Sequence, residues 1–237
     1  MSVAQASPPN SAVFFDFDGT LVDSTIAHYY RYFMRRRLTP TRRRIWYGGF
    51  LLRCVFYLIL DRIDRSKLNV VFYRNYRGLP IHEIKALAED CYRDEIAPRC
   101  FDQAAECIQQ HRKANRLIAV VTGSLDFIVS PFARAFGVDV VLAPALVESD
   151  GVFTGRLDGA PIGGQEKARR IRALAAELNI DLATSYAYGD SIADLPMLQV
   201  VGHPHVVNPD RTLARIAHRH GWETHRWTRR VVTGSEA

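Results

Sequence analysis

Two aspartates, Asp16 and Asp18, close an apolar run that begins at Val13, and Gly19 and Thr20 follow them. A short apolar run bounded by a glycine turn reads as a buried strand. In open α/β sheets the ligand crevice lies at the carboxyl ends of the strands. Side chains alternate along a strand, so the two aspartates are expected to point the same way. Carboxylates held that close repel each other unless a cation or a shared proton compensates. Magnesium suits this task, because it is a hard cation that takes carboxylate, carbonyl and phosphate oxygens. The plainer reading is a strand end whose aspartates cap the next turn.

Three other places carry residues of related chemistry. Thr122-Gly123 closes a second apolar run, Lys167 lies in a helical pattern, and Asp190 and Asp194 follow a further strand in Gly189-Asp190-Ser191-Ile192-Ala193-Asp194. Each has an ordinary explanation when taken alone. Thr122 and Asp194 suit helix caps. Lys167, placed among Glu166, Arg169 and Arg170, suits a solvated helix face.

A sheet is needed to bring these residues together. After the first strand, helical patterns cover 26–37, 45–60, 66–76 and 80–96, with a break at Pro40 and Pro80 in a first turn. No strand pattern appears between 22 and 116. A structureless loop of about 95 residues is rare, so this block is expected to be a helical cap. Strands follow at 116–124 and 138–142, separated by a helix over 125–136. A hairpin at 145–157 turns at Asp150-Gly151, and a helix covers 164–178. A strand over 184–188, a helix over 192–199, strands at 200–202 and 205–208 and a helix over 212–220 complete the pattern before a polar tail. Strands alternating with helices predict an α/β fold with a doubly wound, Rossmann-like parallel sheet and an inserted all-helical cap domain. The expected division is a tail at 1–11, a core at 12–21 and 117–228, a cap at 22–116 and a tail at 229–237.

Together, Asp16-Phe17-Asp18-Gly19-Thr20-Leu21-Val22, Thr122-Gly123, Lys167 and the Asp190–Asp194 stretch resemble the four motifs of the haloacid dehalogenase-like hydrolases in order and type. The resemblance covers nearly the whole chain. The block from Tyr188 to Leu198 is most similar to the phosphoserine phosphatase-like branch, subfamily IB. It implies a magnesium-dependent phosphomonoester hydrolase working through an aspartyl phosphate. By that resemblance Asp16 is the nucleophile, since a carboxylate can form an acyl phosphate and split one hard step into two. Asp18 protonates the leaving alcohol and then deprotonates water. Mg2+ would be held by Asp16, the carbonyl of Asp18 and Asp190. Thr122, the Gly123 amide and Lys167 would hold the phosphoryl oxygens, and Asp194 would fix Lys167 or a water on the metal.

Specificity is expected from the cap. Phosphoserine phosphatases place an acidic residue nine positions after the nucleophile to pair with the substrate amine, and here Thr25 stands there. Arg74 and Arg77 are candidates for a substrate anion, or simply a solvated helix end. Two arginine triplets, Arg35 to Arg37 and Arg42 to Arg44, flank Pro40 beside the apolar 45–60 helix. They suit a solvated face, contact with anionic lipid, or nucleic acid. No recognition module accompanies the charge, so no nucleic-acid partner is expected.

The chain has 237 residues, 48% of them hydrophobic, with a net charge of +6 that favours anionic partners. The four cysteines, Cys54, Cys91, Cys100 and Cys107, lack metal-site spacing, and the histidines are read as structural. Free thiols, no signal-peptide pattern and no apolar run of about 20 residues predict a cytoplasmic protein without a transmembrane segment. The expected substrate is a small phosphorylated metabolite, phosphoserine-like or histidinol-phosphate-like. Alternatives on the same residues are a phosphotransferase or mutase, a lipid-phosphate phosphatase at a membrane surface, and a non-catalytic protein binding anionic lipid or RNA. Asp18 disfavours a dehalogenase, because it serves phosphoryl leaving groups. The oligomeric state is open.

Overall fold

Strand β1 (Ala12–Phe15) lies inside a six-stranded parallel sheet made with β2 (Leu117–Val121), β3 (Val140–Leu142), β6 (Tyr186–Gly189), β7 (His203–Val207) and β8 (Glu223–His225). The order across the sheet is β3-β2-β1-β6-β7-β8. Strands β4 (Leu146–Ser149) and β5 (Val152–Leu157) form a separate antiparallel hairpin. This is a computed structural model, and it describes residues 9–63 and 65–229. Most of both expected tails lies outside the described residues.

Burial on both faces explains the unbroken apolar composition of β1 and β2. Ala12 and Phe14 face one core with Ala119, Val121 and Ala187, covered by α8 (Gln165–Leu178), α9 (Leu195–Leu198) and α10 (Arg211–His220). Val13 and Phe15 face the other, with Ile118, Val120 and Tyr188. That second core continues into the helices inserted between β1 and β2. These are α1 (Ile26–Arg37), α2 (Pro40–Ile63), α3 (Arg65–Tyr73), α4 (Ile81–Ala86), α5 (Ala88–Cys91) and α6 (Asp102–Lys113). Tyr29, Tyr32, Phe33, Phe72, Tyr73 and Tyr76 form its aromatic centre.

The helical block divides where the sequence pattern did not. Ala104, Ile108 and His111 bury one stripe of α6, and His111 meets the rings of Phe15 and Tyr188 on the sheet. So α6 is a crossover helix lying on the sheet, in the same core as α7 (Asp126–Phe136), while α1 and α3 reach the strand ends through Tyr29 and Tyr73. The hairpin braces these helices with backbone bonds: Gly78 N–H donates to Phe153, Phe153 N–H to Leu79 and Ile81 N–H to Gly151.

Two expectations at the far edge are corrected. The strand expected at 200–202 is a turn, in which Gly202 N–H donates to the Leu182 carbonyl at 2.8 Å, and the strand expected at 205–208 is β7, which begins at His203. A Cβ on Gly202 would lie 1.7 Å from the Ala183 carbonyl oxygen, so the backbone passes too close for any other residue. The expected polar tail contains β8, which pairs with β7 through His205, Val206 and Val207. Tyr186, Tyr188, His203, His205 and His225 share one face there and stack on one another. No disulfide joins the four cysteines. Among the described residues no helix is long and apolar enough to cross a membrane.

Candidate active site

Asp16 stands one residue past β1, Thr122 one past β2 and Asp190 one past β6. Because β1 lies between β2 and β6, these three strand ends are neighbours at the point where the strand order reverses. The strand pairing reaches Asp16, whose N–H donates to the Tyr188 carbonyl at 2.9 Å. The chain then turns, with the amides of Leu21 and Val22 both directed at the Phe17 carbonyl. Asp18 therefore reaches the site from a turn, not from strand alternation. Gly19 makes the turn possible: its φ is +91°, and a Cβ would lie 2.3 Å from Asp190 Oδ2.

Lys167, near the start of α8, ties the strand ends together. Its Nζ donates to Asp16 Oδ1 at 2.5 Å and to Asp194 Oδ1 at 2.7 Å, with all three side chains buried. Asp194 Oδ2 accepts from the amides of Asp190 and Ser191 and from Ser191 Oγ. Asp194 thus fixes both Lys167 and the loop after β6. Asp18 accepts from Ser24 Oγ at 2.8 Å, Tyr29 Oη at 2.7 Å and Ser124 Oγ at 2.5 Å. Three hydroxyl donors from two segments hold this carboxylate in one orientation.

The charges are unbalanced. Burial and the neighbouring Asp194 push Asp16 up, against the pull of Lys167. Burial, then Asp194 and Asp16, push Asp190 well above the ordinary carboxylate range. Burial works against a charged Lys167, but Asp16 and Asp194 outweigh it and hold its pKa above the ordinary lysine value. Burial opposes ionised Asp194 too, and there Lys167 and Arg65 prevail. Carboxylate oxygens of Asp16, Asp190 and Asp194 all lie within 4.8 Å of one another. With Asp18, four carboxylates among the described residues face two cations, Lys167 and Arg65. An excess of clustered hard oxygen donors is the setting that takes a divalent cation such as Mg2+.

The cap closes the site from above. From α3, Tyr73 Oη donates to the Gly123 carbonyl at 2.7 Å and Asn69 Nδ2 approaches the same oxygen at 3.5 Å. A Cβ on Gly123 would meet Asn69 Nδ2 at 2.3 Å and the Ile162 carbonyl at 3.1 Å, so any other residue there would push Asn69 aside. What remains is a cavity of about 220 Å³. Asp16, Asp18, Thr122, Gly123, Lys167 and Asp194 form its floor, and Ile26, Tyr57, Leu58, Leu68 and Phe72 are among its walls.

Of the residues singled out in the sequence, Thr25 also lines the cavity, while Asp190 stands behind it, linked through Thr20 Oγ1 to Asp16. Arg74 and Arg77 are exposed and lie outside the lining, the Arg74 backbone and the Arg77 Cβ facing Gly155 of β5. The cation the cap does bring is Arg65, whose guanidinium donates to Ser191 Oγ at 2.9 Å and lines the cavity. Sequence reasoning missed Arg65, Asn69 and Tyr73, which reach the site only through the docking of α3. Ser24 and Ser124 carried a faint signal, each lying close in sequence to a motif residue.

Residues 13–199 match the haloacid dehalogenase-like hydrolase family. The chain is similar to a probable phosphatase of Mycobacterium tuberculosis, 34% identical over 93% of this chain and 77% of that protein. It is also similar to a phosphoserine phosphatase of the same organism, 31% identical over 90% of this chain and 70% of the other. In three dimensions it resembles a phospho-aspartyl intermediate analogue of phosphoserine phosphatase, with a TM-score of 0.69, 18% identity and coverage of 93% of this chain and 95% of that one, a likeness of fold.

Proposed function

The chain belongs to the haloacid dehalogenase-like hydrolases, and on that premise we propose that it is a magnesium-dependent phosphomonoesterase in which Asp16 attacks phosphorus. The observation that carries this reading is the buried Lys167 joining Asp16 to Asp194 on the floor of a cavity that Asp18 shares. Asp16 and Asp190, with the carbonyl of Asp18, would hold Mg2+. When bound, the ion supplies positive charge that offsets the dianionic ester and the clustered carboxylates.

In the first half-reaction an Asp16 oxygen bonds to phosphorus, the ester P–O bond breaks, and Asp18 gives its proton to the departing alkoxide. In the second, Asp18 takes a proton from water as the water attacks the acyl phosphate. Inorganic phosphate leaves and the Asp16 carboxylate is restored. Ser24, Tyr29 and Ser124 hold Asp18 in line for both transfers. Lys167, Thr122 and the Gly123 amide receive the three phosphoryl oxygens. The cap over Gly123 excludes bulk water from the acyl phosphate.

The substrate is a small phosphomonoester with an apolar body. Among the described residues the carboxylates lining the cavity are Asp16, Asp18 and Asp194, all engaged. Asp23, close in sequence to Thr25, pairs with Arg229 at 3.0 Å and does not line the cavity. A buried ammonium without a partner costs several kcal/mol. Phosphoserine should therefore be turned over at least tenfold less efficiently than the best substrate.

The test is steady-state hydrolysis of an aryl phosphate and of a panel containing phosphoserine, histidinol phosphate and glycerol phosphates, with magnesium or with a chelator. Acid-quenched protein is then weighed for a phosphoryl adduct. Full activity in chelator, or turnover without an adduct, refutes the mechanism. Phosphoserine ranking first refutes the substrate reading alone.

A further inference from the structure

Helix α2 is apolar on nearly every side, and only part of it is covered. Trp46, Phe50 and Tyr57 turn inward and pack on Tyr30 and Phe72. The outward side exposes Ile45, Leu51, Leu52, Val55, Phe56, Leu58 and Ile59, each more than half accessible, with Leu52 at 77%. At about 100° per residue these seven fall within an arc of about 160°. At 1.5 Å per residue they extend for about 21 Å along the axis. Scattered exposed apolar residues need no explanation, but a contiguous stripe of this size marks an interaction surface.

The surroundings of the stripe identify the partner. Arg35, Arg36 and Arg37 end α1, and Arg42, Arg43 and Arg44 fall in the first turns of α2, whose opening turn contains no acidic residue. Arg42 and Arg44 are exposed, and Arg35, Arg36, Arg43 and Tyr47 line an open groove beside them. Arg53 adds a further exposed cation on the flank of the helix. An apolar face with positive charge along one end is complementary to a surface that is negative outside and apolar beneath. A second copy of this chain would present the same arginines.

We propose that the outward face of α2 seats the protein on an anionic lipid surface. Leu51, Leu52, Val55, Phe56 and Ile59 enter the acyl boundary, and Arg42, Arg43 and Arg44 contact headgroup phosphates, while Arg35, Arg36 and Arg37 pair with Glu95, Asp94 and Glu83. Leu58 belongs both to this face and to the cavity wall, so the mouth of the cavity adjoins the seat.

Sedimentation of the full chain with vesicles tests this without any turnover. Phosphatidylcholine vesicles containing phosphatidylglycerol should carry the protein down, and phosphatidylcholine alone should not. Raised salt should weaken the binding. Leu52→Glu with Phe56→Glu should reduce it at least tenfold, and Arg42→Gln with Arg44→Gln should reduce it and flatten its salt dependence. None of the four positions lines the cavity and all are exposed, so hydrolysis of an aryl phosphate and the melting temperature should stay at wild-type values. If the double glutamate variant melts early, Ile45→Gln with Val55→Gln gives the same reading with neutral side chains. Absent binding, equal binding to both vesicles, or full binding by the apolar-face variants overturns the proposal. A dimer in solution that Leu52→Glu dissociates, with no vesicle binding, assigns the face to a second copy and overturns it as well.

Discussion

Asp16 stands where a buried cation, Lys167, a second acid, Asp18, and an apolar cavity meet. Replacing it with asparagine keeps the shape and a hydrogen-bond acceptor for Lys167 but removes the oxygen that forms the acyl phosphate. Asp16→Asn is expected to lower kcat more than a hundredfold while the folded state persists, because Lys167 keeps its contact with Asp194. Hydrolysis of an aryl phosphate beside a thermal melt checks both parts. A variant retaining a tenth of wild-type activity would exclude a covalent role for Asp16. Gly19 is as constrained as the acids. With φ at +91° and Asp190 at 2.3 Å from its missing Cβ, Gly19→Ala should destabilise the fold by at least about 1–3 kcal/mol and displace Asp190. Chemical denaturation, with the magnesium concentration needed for half-maximal rate, reads both effects. An unchanged midpoint and metal requirement would show that the turn can relax.

Among the elements, the β6–β7–β8 face couples fold to acidity. His111 and His205 are held down at about 4, mainly by burial, with Arg116 and other histidines contributing and Glu223 opposing at His205. Both are therefore neutral in the folded protein at pH values where the unfolded chain, with histidines near 6.5, has taken up protons. Stability should fall as pH drops from about 6.5 toward 4 and level off below that range. Melting temperatures across this interval check the slope, and His205→Gln should make it shallower. A flat profile in both proteins would remove these groups as the cause. The same elements show what a sequence reveals. Helix α1 was legible to the residue at 26–37, because its aromatic stripe and basic end leave one period available. Asp16, Thr122 and Asp190 could be placed because each follows an apolar strand, whereas Lys167, on a helix among other charges, stood out only through the resemblance. β8 was not, since Glu223-Thr224-His225 has no apolar run and is a strand only because β7 offers an open edge. Arg65 and Tyr73 were not, since nothing local records that α3 lands on Gly123.

At the scale of the molecule, α3 meets the strand ends through Arg65 on Ser191 Oγ, Asn69 Nδ2 near the Gly123 carbonyl and, at 2.7 Å on that same carbonyl, the Tyr73 Oη hydrogen bond. Tyr73→Phe removes it and leaves the ring in its aromatic cluster. The expected outcome is a raised KM for every substrate in the panel and a melting temperature within a few degrees of wild type, because one hydrogen bond contributes only about 1 kcal/mol. Unaltered kinetics would show that α3 stays closed by packing alone. On the opposite side the cap is fastened differently. The hairpin and the segment around Leu79 share backbone bonds, from Gly78 to Phe153, Phe153 to Leu79 and Ile81 to Gly151. One margin of the cap is thus stitched by main chain and the other is latched by side chains of α3. The cap should swing as a door hung on the β4–β5 hairpin. In deuterated water the Gly78, Ile81 and Phe153 amides should be the slow clock of this lobe, while amides of α2 and α3 exchange first. Uniform exchange across the lobe would mean that it loosens as a whole and has no hinge.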